Sequence, residues 1–222
     1  MGTITALKAQ VKNPDRVSVF VDDEFVVGLA AAVAAGLRVG QTITAADLTR
    51  LEQNEQAHRA RERVVGLLAR RPYSANEVIR YLRRHQYDEA TINAVVDDLT
   101  EAGLIDDNAF AAYWVEQRET FRPRSRLALR QELSLKGVER EIVADALAEV
   151  DEVDAARRLA RKKAGRYSHL SETEFQTKLS HYLQRQGFSY DIVREVVGEV
   201  VAEVVAESPP TNINEEENVK ES

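Results

Sequence analysis

Cysteine is absent from this sequence. Disulfide bridges, thiol catalysis and every cysteine-ligated zinc or iron–sulfur centre are thereby excluded. Aromatic residues are scarce, at 6%, and Ala and Val supply much of the 44% apolar share. The longest apolar run, 25–37, has 13 residues, short of the ~18 that a membrane-spanning helix needs. Acidic Asp22-Asp23-Glu24 precedes it, where a signal peptide carries positive charge. The expectation is a cytoplasmic chain with no membrane partner.

Catalytic signatures are missing as well. Gly36 and Gly40 are isolated, with no phosphate-binding loop around them, and no Gly-x-Ser-x-Gly elbow occurs. His58, His85, His169 and His181 form no metal-protease pair. Adjacent acids at Asp97-Asp98 and Asp106-Asp107 read as helix caps and dipole partners. Trp114 with Tyr113 is better explained by core packing than by base stacking. No enzyme, no metal and no cofactor are expected.

What is present is a core-forming chain of 222 residues, long enough to fold without staples. Val17, Val19 and Val21 alternate with Ser18 and Phe20, turn at Asp22-Asp23-Glu24, and resume at Phe25-Val26-Val27. That is a β-hairpin pattern. Residues 4–11 supply a third strand, with Asn13-Pro14-Asp15 as its exit turn. Residues 29–35 predict a short helix ended by Gly36, and Thr44 with Asp47 a capping box that opens a long helix.

Beyond residue 56 the chain is helical and repetitive. Tyr81-Leu82-Arg83-Arg84-His85-Gln86-Tyr87 aligns with Glu132-Leu133-Ser134-Leu135-Lys136-Gly137-Val138 and with Tyr182-Leu183-Gln184-Arg185-Gln186-Gly187-Phe188. The leucines are spaced by 51 and 50 residues. At the same spacing, Val95, Val96 and Leu99 match Ala146, Leu147 and Val150, then Val196, Val197 and Val200, one apolar stripe per repeat. Gly137 and Gly187 suit a left-handed helix-ending turn, whereas Gln86 implies a turn built differently. In the junction Gly103-Leu104-Ile105-Asp106-Asp107, Gly103 ends one helix and Asp107 caps the next. The helices predicted are 56–70, 74–85 and 88–102, then 108–120, 124–136 and 139–150, then 152–164, 171–186 and 189–206.

The fold class is therefore mainly α: three tandem three-helix, helix-turn-helix-like modules in an elongated curved rod, after a small β-containing N-terminal region. The boundaries are 1–50 for that region, then modules at 51–105, 106–150 and 151–206. Residues 207–222, with five Glu and one Lys, read as a disordered acidic tail whose removal leaves folding and activity intact.

Net charge is −7, but it is segregated. Residues 59–86 hold eight Arg and two Glu, whereas 87–107 hold seven acids and no base. The alternation repeats twice: 116–136 has six bases and three acids against one and seven in 137–154; 157–187 has eight and two against one and five in 188–207. Solvated Arg–Glu pairs between neighbouring helices would explain single charges. The threefold recurrence instead suggests a basic stripe facing an extended polyanion or an acidic groove. Its members are Arg80, Arg83, Arg84, Arg118, Arg122, Arg124, Arg126, Arg130, Lys136, Arg157, Arg158, Arg161, Lys162, Lys163, Arg166, Lys178 and Arg185. Reversing Arg157, Arg158, Arg161, Lys162 and Lys163 to Glu is expected to abolish activity and spare the helices.

These residues resemble the RecX family, bacterial regulators of the recombinase RecA. Gly103-Leu104-Ile105-Asp106-Asp107 followed by Phe110-Ala111 and Tyr113 carries the likeness most specifically. Tyr73-Ser74 with Glu77, Glu132-Leu133 with Lys136-Gly137-Val138, and Lys178 with Tyr182-Leu183 and Gly187-Phe188 support it. The resemblance spans about residues 60–206, and the first fifty residues look like the extension of longer members. Gln86 and Val78 depart from the usual glycine and leucine. The resemblance implies a non-enzymatic, monomeric negative regulator that lies in the groove of the RecA–single-stranded DNA filament. There it would suppress filament growth, ATP hydrolysis and strand exchange. Two alternatives stand beside it: a DNA-binding helix-turn-helix protein independent of RecA, and a helical scaffold for another protein. The acidic third helices argue against groove insertion by them.

Overall fold

A computed structural model describes residues 1–167 and 169–207, which form two units: 1–111 with 136–138, and 112–135 with 139–207.

The first unit opens with strands β1 (Gly2–Gln10), β2 (Asn13–Val21), β3 (Glu24–Ala30) and β4 (Thr42–Ile43), in an antiparallel sheet of order β3-β2-β1-β4. Asp22 and Asp23, at φ 49° and 67°, make the two-residue hairpin turn. Asp22 Oδ1 accepts the Thr3 N–H, and the Asp23 N–H donates to Thr5 Oγ1. Asn13-Pro14-Asp15 is not the exit turn; it lies within β2, and the turn is Val11-Lys12. Ala9 pairs Val17 while Gln10 pairs Asn13, so the ladder skips Pro14, which has no N–H to give. The expected helix at 29–35 shrinks to α1 (Ala31–Ala34), because Leu29 and Ala30 are buried as the end of β3.

Helix α2 (Ala45–Leu68) starts at the Thr44–Asp47 capping box and runs 24 residues through Gly66, about 36 Å. Leu48 and Leu51 pack on the sheet core of Ile4, Val19, Leu29 and Ile43. Ala60 and Val64, further along, enter a second core with Val78, Leu82, Ile92, Val95 and Leu99 from α3 (Ala75–Arg84) and α4 (Glu89–Glu101). Between the two cores sits Glu55, buried, accepting the Ala30 N–H, Arg16 Nη1 and Arg59 Nε. Burial pushes its pKa up, but those three donors outweigh it and hold the carboxyl below its ordinary value.

Helices α5 (Asp107–Phe121), α6 (Arg126–Leu135) and α7 (Arg140–Leu147) follow, then α8 (Glu152–Tyr167), α9 (Glu172–Arg185) and α10 (Tyr190–Glu207). The described residues thus contain three three-helix domains behind a small strand region. Within the second unit, Leu159, Phe175, Leu179, Leu183, Phe188, Val196 and Val200 share one core across α8, α9 and α10. The α7 segment is shorter than expected. Arg126 Nε and Nη2 take the Val150 carbonyl at 2.9 and 2.5 Å, and Nη2 also takes that of Ala148, outside any helical ladder.

Two expectations about turns are corrected. Gln86 does not build a different turn: it adopts φ 64°, the left-handed form of Gly137 (80°) and Gly187 (93°). The Tyr87 N–H donates to Leu82 O just as the Phe188 N–H donates to Leu183 O. The cap of α5 is Asp106, whose Oδ1 accepts from Asn108 and Ala109; Asp107 instead accepts the Ala75 N–H at the start of α3. The expected tail lies outside the described residues except for Glu207, which ends α10.

Candidate polyanion-binding cleft

The cationic stripe separates into two groups. One group is engaged inside the protein. Arg83 is forked to Glu89 at 2.7 and 2.8 Å, Arg157 to Glu199 at 2.9 and 3.4 Å, and Arg161 to Glu203 at 3.0 and 2.6 Å. These arginines hold Glu89, Glu199 and Glu203 below the ordinary carboxylate range. Arg118 Nε donates to Glu132 at 2.7 Å and stacks over Trp114, whose indole N–H reaches the same carboxylate. Lys136 pairs with Glu77, which also holds Arg71 at 3.1 Å. Burial raises the Glu77 pKa, and Lys136 and Arg71 more than reverse it. Arg126 caps α7, Arg158 pairs with Asp154 and the Glu119 carbonyl, and Arg80 reaches Asn76 O at 3.4 Å. For much of this group the solvated-pair reading holds: acidic third helices neutralise basic neighbours.

The other group is exposed and makes no ion pair among the described residues: Arg84, Arg122, Arg130, Lys162, Arg166, Lys178 and Arg185. Three of these gather within the second unit. A cleft of about 390 Å³ opens between the α5–α6 connection, α8 and α9. Its walls carry Arg122, Arg124, Lys162, Lys163 and Arg166, and none of its lining residues is acidic. Lys163 stands 4.9 Å over the Tyr182 ring, and Phe121, 65% exposed, forms one lip. Arg124 Nε is buried with no hydrogen-bond partner, and the nearest carboxylate oxygen, on Glu132, is 3.8 Å away. Five positive groups around a cavity of this size create a strong local field for anions. The guanidinium forks suit phosphate or carboxylate.

The repeat explains how these side chains are held. Pro72 and Pro123 stand 51 residues apart, each between an Arg and an x-Ser pair. Ser74 and Ser125 are both fully buried. Ser74 caps α3 and donates to Lys136 O at 2.8 Å; Ser125 Oγ caps α6, and its N–H donates to Gln186 O at 3.4 Å. Each serine therefore locks one module's second helix onto the next module's glycine turn. The charge at this joint is not a requirement of the repeat. Arg71 is neutralised by Glu77, but the residue equivalent to Glu77 one repeat on is Ala128, so Arg122 has no acid. At the spacing of the helix caps, 45 residues from Asp106 to Asp151, Lys162, Lys163 and Arg166 correspond to Gln117, Arg118 and Phe121, and Arg118 is paired with Glu132.

All five cations belong to the stripe predicted from the sequence, where charge alone does not separate them from the internally paired arginines. Phe121 and Tyr182 were not expected as cleft walls, although the repeated Arg-Pro-x-Ser marks the joint.

Comparison with known proteins places this chain in a family. Residues 2–44 match the regulatory protein RecX N-terminal domain, and 60–99, 106–147 and 149–197 match the first, second and third three-helix domains of RecX. A regulatory protein RecX of Amycolatopsis mediterranei is 37% identical over 152 residues, covering 65% of this chain and 87% of its own. One from Clostridioides difficile is 27% identical over 201 residues, covering 88% of this chain and 94% of its own. A crystal structure of regulatory protein RecX superposes with a TM-score of 0.73 at 22% identity, over 88% of this chain and 98% of that one. RecX from Lactobacillus salivarius gives 0.58 at 27% identity, over 66% and 97%. No helix among the described residues is long and apolar enough to cross a membrane. With four domain matches in order along the chain and a close relative covered nearly throughout, this chain belongs to the RecX family of regulatory proteins.

Proposed function

We propose that this chain is a negative regulator of RecA, binding the RecA–single-stranded DNA filament and suppressing its growth, ATP hydrolysis and strand exchange in recombination and repair. The observation that carries the reading is the cleft with five cations and no acid, in a member of a family of regulators. A filament groove offers phosphates flanked by protein carboxylates, and Arg122, Arg124, Lys162, Lys163 and Arg166 suit either. Arg84, Arg130, Lys178 and Arg185 extend the contact. Arg83, Arg118, Arg126, Lys136, Arg157 and Arg161 serve by holding helices in place. Modules at 51–105, 106–150 and 151–206 act together in a monomer, so that weak contacts multiply along a periodic partner. Occlusion needs no catalytic group.

The test is RecA ATP hydrolysis on single-stranded DNA, titrated with this protein. Suppression at well below one copy per RecA is the expected result. No suppression at equimolar protein would leave RecA-independent DNA binding or a scaffold role in its place.

A further inference from the structure

We propose that the cleft of the second unit takes an unpaired nucleotide, its base against Phe121 and Tyr182 and its flanking phosphates on Arg122, Lys162 and Arg166. The proposal deepens the proposed function and rests on its reading of the cleft as a contact site. It decides between the two anions that suit the site, the phosphates of a single strand and the carboxylates of a protein.

Charge alone does not make that choice, and part of the charge is already answered: Arg124 stands in an ion pair with Glu132 at 3.8 Å. The apolar part of the cleft makes it. Leu159, Lys162, Lys163 and Arg166 follow one another at i, i+3, i+4 and i+7, so they form one stripe of α8, about 10 Å long. The stripe begins apolar and ends cationic. Tyr182 of α9 lines the same cleft, with Lys163 Nζ 4.9 Å over its ring. Phe121, the last residue of α5, joins them and is 65% exposed.

The repeat does not call for an aromatic at Phe121. Two residues before the proline of the preceding joint stands Arg70 instead. A single exposed phenylalanine is ordinary on a surface. One that shares a cleft with a second aromatic, a leucine and several cations combines a stacking surface with charge.

The negative face of an aromatic ring repels a carboxylate, so Phe121 adds nothing to a site for acidic side chains. A base has a π-face of its own and stacks on such rings whatever its identity, while its phosphates need cations close by. In a duplex the base faces are closed by their neighbours. The cavity, about 390 Å³, is at the small end for an organic ligand, and a helix about 10 Å across does not enter it. The cleft therefore favours a single strand over both a duplex and an acidic protein surface.

The test needs no RecA. Binding of fluorescein-labelled oligothymidylate to the full chain is compared with binding of an abasic strand of the same length and charge. The oligothymidylate should bind about tenfold tighter, the gain from stacking one base. Phe121→Ala should remove that preference while sparing the abasic strand's affinity and, because the residue is exposed, the melting temperature. Phe121→Trp should keep the preference. Lys162→Gln should weaken both strands alike and lower the salt slope by about one. Equal affinity for the two strands, a Phe121→Ala loss shared by both, or displacement by polyglutamate as effective as by unlabelled oligothymidylate would overturn the proposal. Any of these with RecA ATP hydrolysis still suppressed would sink the base site and leave the regulatory reading standing. A base preference without suppression of RecA would uphold the base site and sink that reading.

Discussion

Gln86 occupies a left-handed backbone position at φ 64°, where its two counterparts are glycine. A side chain there costs about 1 kcal/mol relative to glycine. Gln86→Gly should therefore raise stability by about that amount in urea denaturation. The glycines themselves are not equivalent. A Cβ at Gly103 would meet nothing within 4 Å, whereas one at Gly137 would run into the Asn76 side chain. Gly103→Ala should cost about 1 kcal/mol for its backbone angle, and Gly137→Ala clearly more, because the module joint must open. Equal costs for the two would show that the joint is not close-packed.

Glu55 sets a second prediction at this scale. With three donors converging on a buried carboxylate, Glu55→Gln should lose about 2–3 kcal/mol. Glu55 and Glu77 both have folded pKa values held below the ordinary one. Each therefore contributes stability that is fully present above the unfolded value of about 4.3 and is lost as pH falls through the folded value. The melting temperature should stay flat from neutrality to about pH 5 and fall below about pH 4.3. The Glu55→Gln variant should show a shallower acid limb, and an unaltered limb would remove Glu55 from this role.

At the scale of elements, most of the architecture was legible. The hairpin, the Thr44–Asp47 cap, the long α2 and the eight module helices after it follow from apolar period, caps and turn residues. The misses have local causes. Pro14 entered a strand because the ladder skips it, and α7 stopped early where Arg126 takes the carbonyls. Gln86 forms the glycine turn, closed by the Tyr87 N–H on Leu82 O. The candidate site was half legible. Charge counting found the cations, but a count along the chain cannot tell an arginine forked to a distant glutamate from one facing a cavity. Arg157 and Arg161 illustrate this: their reversal to Glu places acid against Glu199 and Glu203 and should lower the melting temperature. Combining Arg157→Glu with Glu199→Arg should recover the loss. The expectation that all five residues could be reversed harmlessly therefore gives way to a narrower set.

For the whole molecule, one asymmetry matters most. Three similar modules repeat the same serine-on-turn joint, yet at one joint Arg122, Lys162 and Arg166 stand exposed and without an ion pair around a cleft, while at the other Arg71 is neutralised by Glu77. A structural need would act on both alike, so the concentration of charge at the second is better explained by a partner. The most direct measurement is inhibition of RecA ATP hydrolysis by Lys162→Glu/Lys163→Glu/Arg166→Glu, compared with the unaltered protein at matched thermal stability. The account predicts an unchanged melting temperature and at least about a tenfold higher concentration for half-inhibition, as expected for losing several charge-assisted contacts. Full inhibition by the triple variant would contradict it.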